Sequence, residues 1–211
     1  MSVNRLVTVM LLMLLACGAG FAYRGYSVSW ENHDTFALTF TLEDYALEPV
    51  QADGQVFTRM FFEGSVRTNR RGFAELPVIS ASIQLPDSGD FDLQVLFDDC
   101  ESVSIDHPML PSKGVIYRNQ NPDAIPYWIH PEAEAVRIFP AQAAHLSNPF
   151  IYRDVRGLTV FVSPFQYLAT ESRLTVHHTL RLALVPRGGQ KSTNPLTATR
   201  RSLAREMDEA Y

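Results

Sequence analysis

Two cysteines, six histidines and 23 acidic residues set what chemistry this chain can hold. Cys100 is the first candidate nucleophile, and it would need a neighbouring base or cation to become a thiolate. Its neighbours are Asp98, Asp99 and Glu101, and three carboxylates push a thiol pKa up, not down. A packed or half-buried cysteine at a strand end is the expectation. His177 and His178 are adjacent, and adjacent strand residues point to opposite faces. The two imidazoles therefore cannot share a metal, and His178, lying on an apolar row, reads as a hydrogen-bonded core histidine. Asp87, Asp90 and Asp92 surround Gly89 with oxygen ligands of the kind calcium takes, but no bidentate glutamate follows at calcium-loop spacing. A polar hairpin turn is expected there. Asp98, Asp99 and Glu101 read as a solvated turn, with no general acid or aromatic platform beside them. The sequence has no phosphate-cradling glycine loop, no Gly-x-Ser-x-Gly and no metallopeptidase helix. No catalytic residue, metal or cofactor is expected.

A sharper feature is a cation rather than a nucleophile. From His107 to Pro131 the chain carries prolines at 108, 111, 122, 126 and 131. Proline lacks the N–H that a central ladder needs, so the segment reads as a long, stiffened, exposed excursion. Excursions of that length are uncommon and usually functional. Arg118 lies within it, between prolines on both sides. A guanidinium offers five donors in a planar fork and keeps its charge. On a stiff loop it becomes an anchor for a carboxylate-lined pocket. Lys113 is the alternative anchor, with Tyr117 and Asn119 flanking Arg118.

The elements that must hold this loop alternate with period two. Phe36, Leu38, Phe40 and Leu42 share one face. Phe91, Leu93, Val95 and Phe97 form a second row, and Leu174, Val176, Leu180, Leu182 and Leu184 line a long strand near the end. Tyr26 to Trp30, Val56 to Phe62, Val78 to Leu85, Ala135 to Phe139 and Leu158 to Val162 are further strand candidates. Turn residues separate them at Asp53-Gly54, Asn69 to Gly72, Pro86 to Gly89 and Arg187-Gly188-Gly189. Strands without alternating helices predict an all-β chain, an antiparallel β-sandwich over residues 23–190. Residues 191–211 read as a linker and a short C-terminal helix. Leu203, Met207, Ala210 and Tyr211 fall on one helical face, with Thr199 or Ser202 as the cap.

The chain has 211 residues, 46% hydrophobic and 19% charged, with net charge -5. It can bury a core and is not disordered by composition. Apart from Arg70-Arg71 and Arg200-Arg201 there is no basic run, so nucleic acid is not an expected partner. Residues 1–22 read as a signal peptide. Arg5 is the positive start, Leu6 to Ala16 is apolar but too short to span a bilayer, and small residues lead to a cleavage site after Ala22. Leu14-Leu15-Ala16-Cys17 also resembles a lipobox, which makes Cys17 a lipidation candidate. Either way the chain is expected to be exported, to the periplasm, the outer membrane or the outside. It would touch membrane only through its signal or a lipid. With Cys17 removed or lipidated, Cys100 has no partner, and a disulfide framework is excluded.

The stretch Ser112-Lys113-Gly114-Val115-Ile116-Tyr117-Arg118-Asn119, continued by Ile125-Pro126-Tyr127, resembles the gingipain propeptide family, the prodomains of clan CD, family C25 cysteine peptidases. That stretch and Asn148 to Gly157 look like segments of its arginine-specific members, Val162-Ser163-Pro164-Phe165-Gln166-Tyr167 is similar to the family's Pro-x-Gln-Tyr segment, and Glu75-Leu76-Pro77 to its Pro-x-Leu-Pro element. The likeness runs over roughly residues 55–187. It departs at Tyr167-Leu168-Ala169, where the family has Tyr-Asn-Pro. The resemblance implies a jelly-roll-like sandwich that keeps a cysteine peptidase latent and helps it fold, with the inhibitory arginine at Arg118. No catalytic His–Cys domain follows in the sequence, so the chain is not expected to be an enzyme itself. It is read as a standalone inhibitor or as the leading part of a cysteine endopeptidase precursor. A different reading, from architecture and from Tyr117, Tyr127 and Trp128, is an exported glycan-binding or adhesion module.

Overall fold

A computed structural model describes residues 26–32, 37–188 and 191–197. The signal segment, Cys17, Phe36 and the C-terminal helical face lie outside the described residues. The order is β1 (Tyr26–Asn32), β2 (Ala37–Leu42), β3 (Ala46–Ala52), β4 (Gln55–Phe61), β5 (Val66–Arg67), β6 (Pro77–Gln84), β7 (Asp90–Ser104), β8 (Ala144–Leu146), β9 (Phe150–Tyr152), β10 (Val155–Val162), β11 (Phe165–Leu168) and β12 (Arg173–Arg187). One sheet runs β1-β2-β12-β11, with β7 along the other side of β12; a second runs β5-β6-β10-β8, with β9 also on β10. Every pairing between these strands is antiparallel. Among the described residues no helix is long and apolar enough to cross a membrane.

The alternation explains the core. Leu38, Phe40 and Leu42 of β2, Leu174, Val176, Leu180, Leu182 and Leu184 of β12, and Phe165 of β11 meet Ile79 and Ile83 of β6 and Leu158, Val160 and Val162 of β10. Two half-apolar sheets close on one another, which is the sandwich solution for strands with one oily face. Asp53 and Gly54 take φ of 49° and 80° between β3 and β4. That is the tight two-residue hairpin an Asp-Gly pair favours.

Several expectations are corrected. Ala135 to Phe139 is not a strand: Pro131–Ala135 is a short helix whose cap, His130, accepts from Glu132 N–H. The proline and the local cap override the β-rich composition. The row Phe91, Leu93, Val95, Phe97 is interrupted at a bulge, where β7 passes Leu96 between Val95, opposite Leu182, and Phe97, opposite Arg181. Phe91 and Leu93 pack on the core, whereas Val95 and Phe97 are exposed. A second shift lies between His177 and Thr179. Beside it His177 is buried and His178 half-exposed against Glu101, the reverse of the simple alternation. Asp98 to Glu101 lies inside β7, not in a turn, and Cys100 is an exposed mid-strand residue. The connection from β6 to β7 joins different sheets and so is not a hairpin.

Candidate functional site

The proline-rich excursion is only half exposed. Met109, Leu110, Pro111 and Ser112 are buried, because backbone groups on both sides claim them. Thr58 N–H donates to Pro108 O and Leu110 N–H to Thr58 O, each at 2.8 Å. Glu75 N–H donates to Leu110 O at 2.8 Å and Ser112 N–H to Phe73 O at 2.7 Å. These bonds replace the ladder that the prolines forbid. The far arm returns to the same place: His130 N–H donates to Gly72 O at 3.0 Å. Gly72 has φ +79°, and a Cβ there would meet His130 N and Cβ at 2.8 Å. Only glycine suits both the dihedral and the approach. Arg70 pairs with Glu132 at 2.7 Å and lies 3.6 Å over the Phe73 ring. Both ends of the loop are thus fastened to residues 70–75.

Between these fastenings the loop is braced from within. Lys113 Nζ donates to Pro122 O at 2.8 Å and sits 4.3 Å over the Tyr127 ring. Tyr127 N–H donates to Asp53 Oδ2 at 2.6 Å, tying the loop to the β3–β4 hairpin tip. Asn121 Oδ1 accepts from Asp123 N–H at 3.0 Å and starts a short 3-10 turn at Pro122–Ala124. Tyr117 to Gln120 forms a tight turn, closed by Gln120 N–H to Tyr117 O at 2.9 Å and again by Tyr117 N–H to Gln120 Oε1 at 2.9 Å. Arg118 and Asn119 are its two central residues, and neither takes a positive φ. Both are exposed. Among the described residues the Arg118 guanidinium has no hydrogen bond or ion pair. Val115, Ile116 and Tyr117 beside it are exposed as well, Tyr117 by 66%.

The structure therefore brings Tyr117, Arg118 and Asn119 together at one tip, and places Lys113 below them as a strut. Of the aromatics that suggest a sugar platform, Tyr127 is committed to Lys113 and Phe57 and Trp128 packs edge-on to His130. Gln120 is the residue that sequence reasoning missed. Its role depends on closing the turn from three residues away, for which the only signal was its polar side chain after Asn119.

A second arginine behaves oppositely. Arg156 is 1% exposed. Its Nε donates to Asn194 O, its Nη1 to Pro86 O and Gly89 O, and its Nη2 to Asp90 Oδ1 and Thr193 O, all within 3.1 Å. All five donors are used. The Thr193 hydroxyl and N–H, followed by Arg156, hold the Asp90 carboxyl below its ordinary pKa. Asp92 is likewise lowered, chiefly by Arg187. The acidic cluster considered for calcium thus faces two arginines.

Cys100 has a raised thiol pKa, from desolvation first and then from Asp98 and Asp99. It lacks the cationic surroundings of a nucleophile.

With this geometry in view, the chain compares with known proteins as follows. The C25 propeptide family model (Propeptide_C25) matches residues 28–206. Gingipain R2 of Porphyromonas gingivalis is 29% identical over 177 residues, covering 82% of this chain and 23% of that protein. Gingipain R1 of Porphyromonas gingivalis is 28% identical over 197 residues, covering 87% and 19% respectively. The chain therefore spans less than a quarter of the length of these curated relatives. In a solved complex of the Porphyromonas gingivalis RgpB pro- and mature domains, one chain superposes with a TM-score of 0.75 at 24% identity, covering 88% of this chain and 94% of that one. A chain from a structure addressing zymogenic latency of gingipain K from Porphyromonas gingivalis gives 0.66 at 16% identity, covering 81% and 96%. At those identities the superpositions establish the shared sandwich fold.

Proposed function

Because this chain belongs to the C25 propeptide family, we propose that it is an exported prodomain that keeps a gingipain-like cysteine peptidase latent and assists its folding, with Arg118 presented to the specificity pocket. The observation that carries the reading is the contrast at the loop tip: a turn closed twice between Tyr117 and Gln120 and a guanidinium with no described partner. A peptidase that prefers arginine needs an acidic pocket floor, and a bidentate pair there is charge-assisted and specific. Val115, Ile116 and Tyr117 offer apolar flanks for the adjoining subsites. Pre-bracing lowers the ordering cost of docking. The same stiffness holds the Arg118 peptide bond away from attack geometry, so the loop occupies the cleft without being cut. Lys113, bound to Pro122 O, serves as the brace. The solved complex of RgpB pro- and mature domains supports a peptidase domain as partner.

The test is inhibition of an arginine-specific C25 peptidase by the purified full chain. Arg118→Ala weakens inhibition by about 30-fold or more, the effect of removing one member of a desolvated pair. Arg118→Lys recovers only part of it, since an ammonium lacks the planar fork. Equal potency of wild type and Arg118→Ala would remove Arg118 from the mechanism.

A further inference from the structure

The sheet that carries β7 and β12 holds a side-chain cluster that the latency reading does not use. His177 Nδ1 lies 2.7 Å from Asp98 Oδ1, and Cα pairing sets His177 opposite Cys100. The ligand atoms of Asp98, Cys100 and His177 all lie within 4.8 Å of one another. His177 is 3% exposed while Asp98 and Cys100 are open to solvent.

The other face of the imidazole explains why this arrangement differs from a chance grouping. Gln166 is buried, and its Nε2 donates to Pro140 O at 2.7 Å. That bond fixes the amide, so its oxygen is the atom 2.9 Å from His177 Nε2. Nε2 must therefore be the N–H donor, which leaves Nδ1 as the ring atom turned to Asp98 and Cys100. Histidines that bind metals nearly always donate their second ring N–H in this way, to a carbonyl or carboxylate that sets tautomer and orientation. The register shift between His177 and Thr179 is what turns one imidazole into this shell while His178 goes to Glu101. A pairing of the two histidines with each other is thereby replaced by a His–Cys–Asp set.

The geometry points to a divalent metal site of the zinc class, formed by His177 Nδ1, Cys100 Sγ and an Asp98 carboxylate oxygen. One nitrogen, one sulfur and one oxygen suit zinc and exclude the hard cations calcium and magnesium. Three protein ligands leave the fourth tetrahedral position to water. Ligand atoms around a tetrahedral ion stand about 3.3–3.7 Å apart, so Asp98 Oδ1, 2.7 Å from His177 Nδ1, moves slightly outward, and Cys100 Sγ, within 4.8 Å of the other two ligand atoms, needs only a small side-chain adjustment. On binding, the ion takes the place of the hydrogen bond between Nδ1 and Oδ1, and the protons carried by the ligand atoms are released to solvent.

Cobalt(II) titration of the full, chelator-treated chain tests the site. The expected result is one-to-one binding, with a thiolate-to-cobalt charge-transfer band that zinc erases. Cys100→Ser abolishes the band and weakens zinc binding more than tenfold, as does Asp98→Asn for affinity, while Cys17→Ser leaves both intact. Independently of any variant, stoichiometric zinc slows alkylation of Cys100 in the wild-type chain at least tenfold. Cobalt binding without a thiolate band, a band lost in Cys17→Ser but kept in Cys100→Ser, or alkylation indifferent to zinc would overturn the assignment.

Discussion

Arg118 and Arg156 are the same side chain put to opposite uses. Arg118 stands on a turn whose backbone is satisfied by Gln120 and whose guanidinium meets no described acceptor. Arg156 is enclosed by four carbonyls and one carboxylate. In the first case the protein spends its hydrogen bonds on the peptide and keeps the side chain for another molecule. In the second it spends the side chain on itself, joining β10 to the 86–90 turn and to residues 193–194. An arginine's role is therefore set by where the surrounding carbonyls point, not by its exposure to prolines or its place in a shared motif.

The largest effect that sharpens this contrast is expected from Arg156→Ala. Removing it leaves four main-chain carbonyls and Asp90 without the guanidinium that joins them, and breaking a buried, hydrogen-bonded ion pair costs about 3–5 kcal/mol. Urea unfolding should show the unfolding free energy falling by that amount, while Arg118→Ala unfolds within about 0.5 kcal/mol of wild type, as surface changes do. Similar losses for both would dissolve the distinction. A smaller effect belongs to Gln120→Ala. The Tyr117 N–H loses its acceptor, worth about 1 kcal/mol at most, so peptidase inhibition weakens up to about fivefold with Arg118 intact, while the melting temperature falls by no more than about 2–4 °C. No change in potency would mean that the turn's second hydrogen bond does not position Arg118.

The mildest expected effect is a pH dependence. The folded Asp90 pKa lies below its ordinary value, so the folded chain binds this proton less readily than the unfolded one. Its contribution is complete above the unfolded pKa, about 4, and is lost as pH falls through the folded value. The stability gap between wild type and Asp90→Asn should therefore narrow in melts taken below about pH 4. A gap that stays constant down to the folded pKa would show that the ionised carboxylate is not what Arg156 and Thr193 recognise.

The sandwich was legible because its rows are regular: Leu38, Phe40 and Leu42, or Leu180, Leu182 and Leu184, announce one oily face. Legibility failed where register slips. Nothing in the order Val95-Leu96-Phe97 or His177-His178-Thr179 says that the pairing passes over Leu96 or His178, because the shift is a property of the pair. Short strands such as β8, β9 and β11 were missed for a related reason: each is held by a longer neighbour and needs little propensity of its own. The loop tip was visible through its prolines and arginine. The Arg156 enclosure was not, since its acceptors are main-chain carbonyls from residues 86, 89, 193 and 194, and every residue type supplies one.

One consequence concerns β7. It spans 15 residues, pairs with β12 on one side, and exposes Val95, Leu96 and Phe97, so among the described residues its outer flank is a bare rim. Such rims invite polymerisation by strand addition. Here Asp98, Asp99 and Glu101 follow the oily triplet directly, and a second copy laid alongside in parallel register would set carboxylate against carboxylate, a destabilising arrangement. Those charges give the rim a built-in aversion to its own kind.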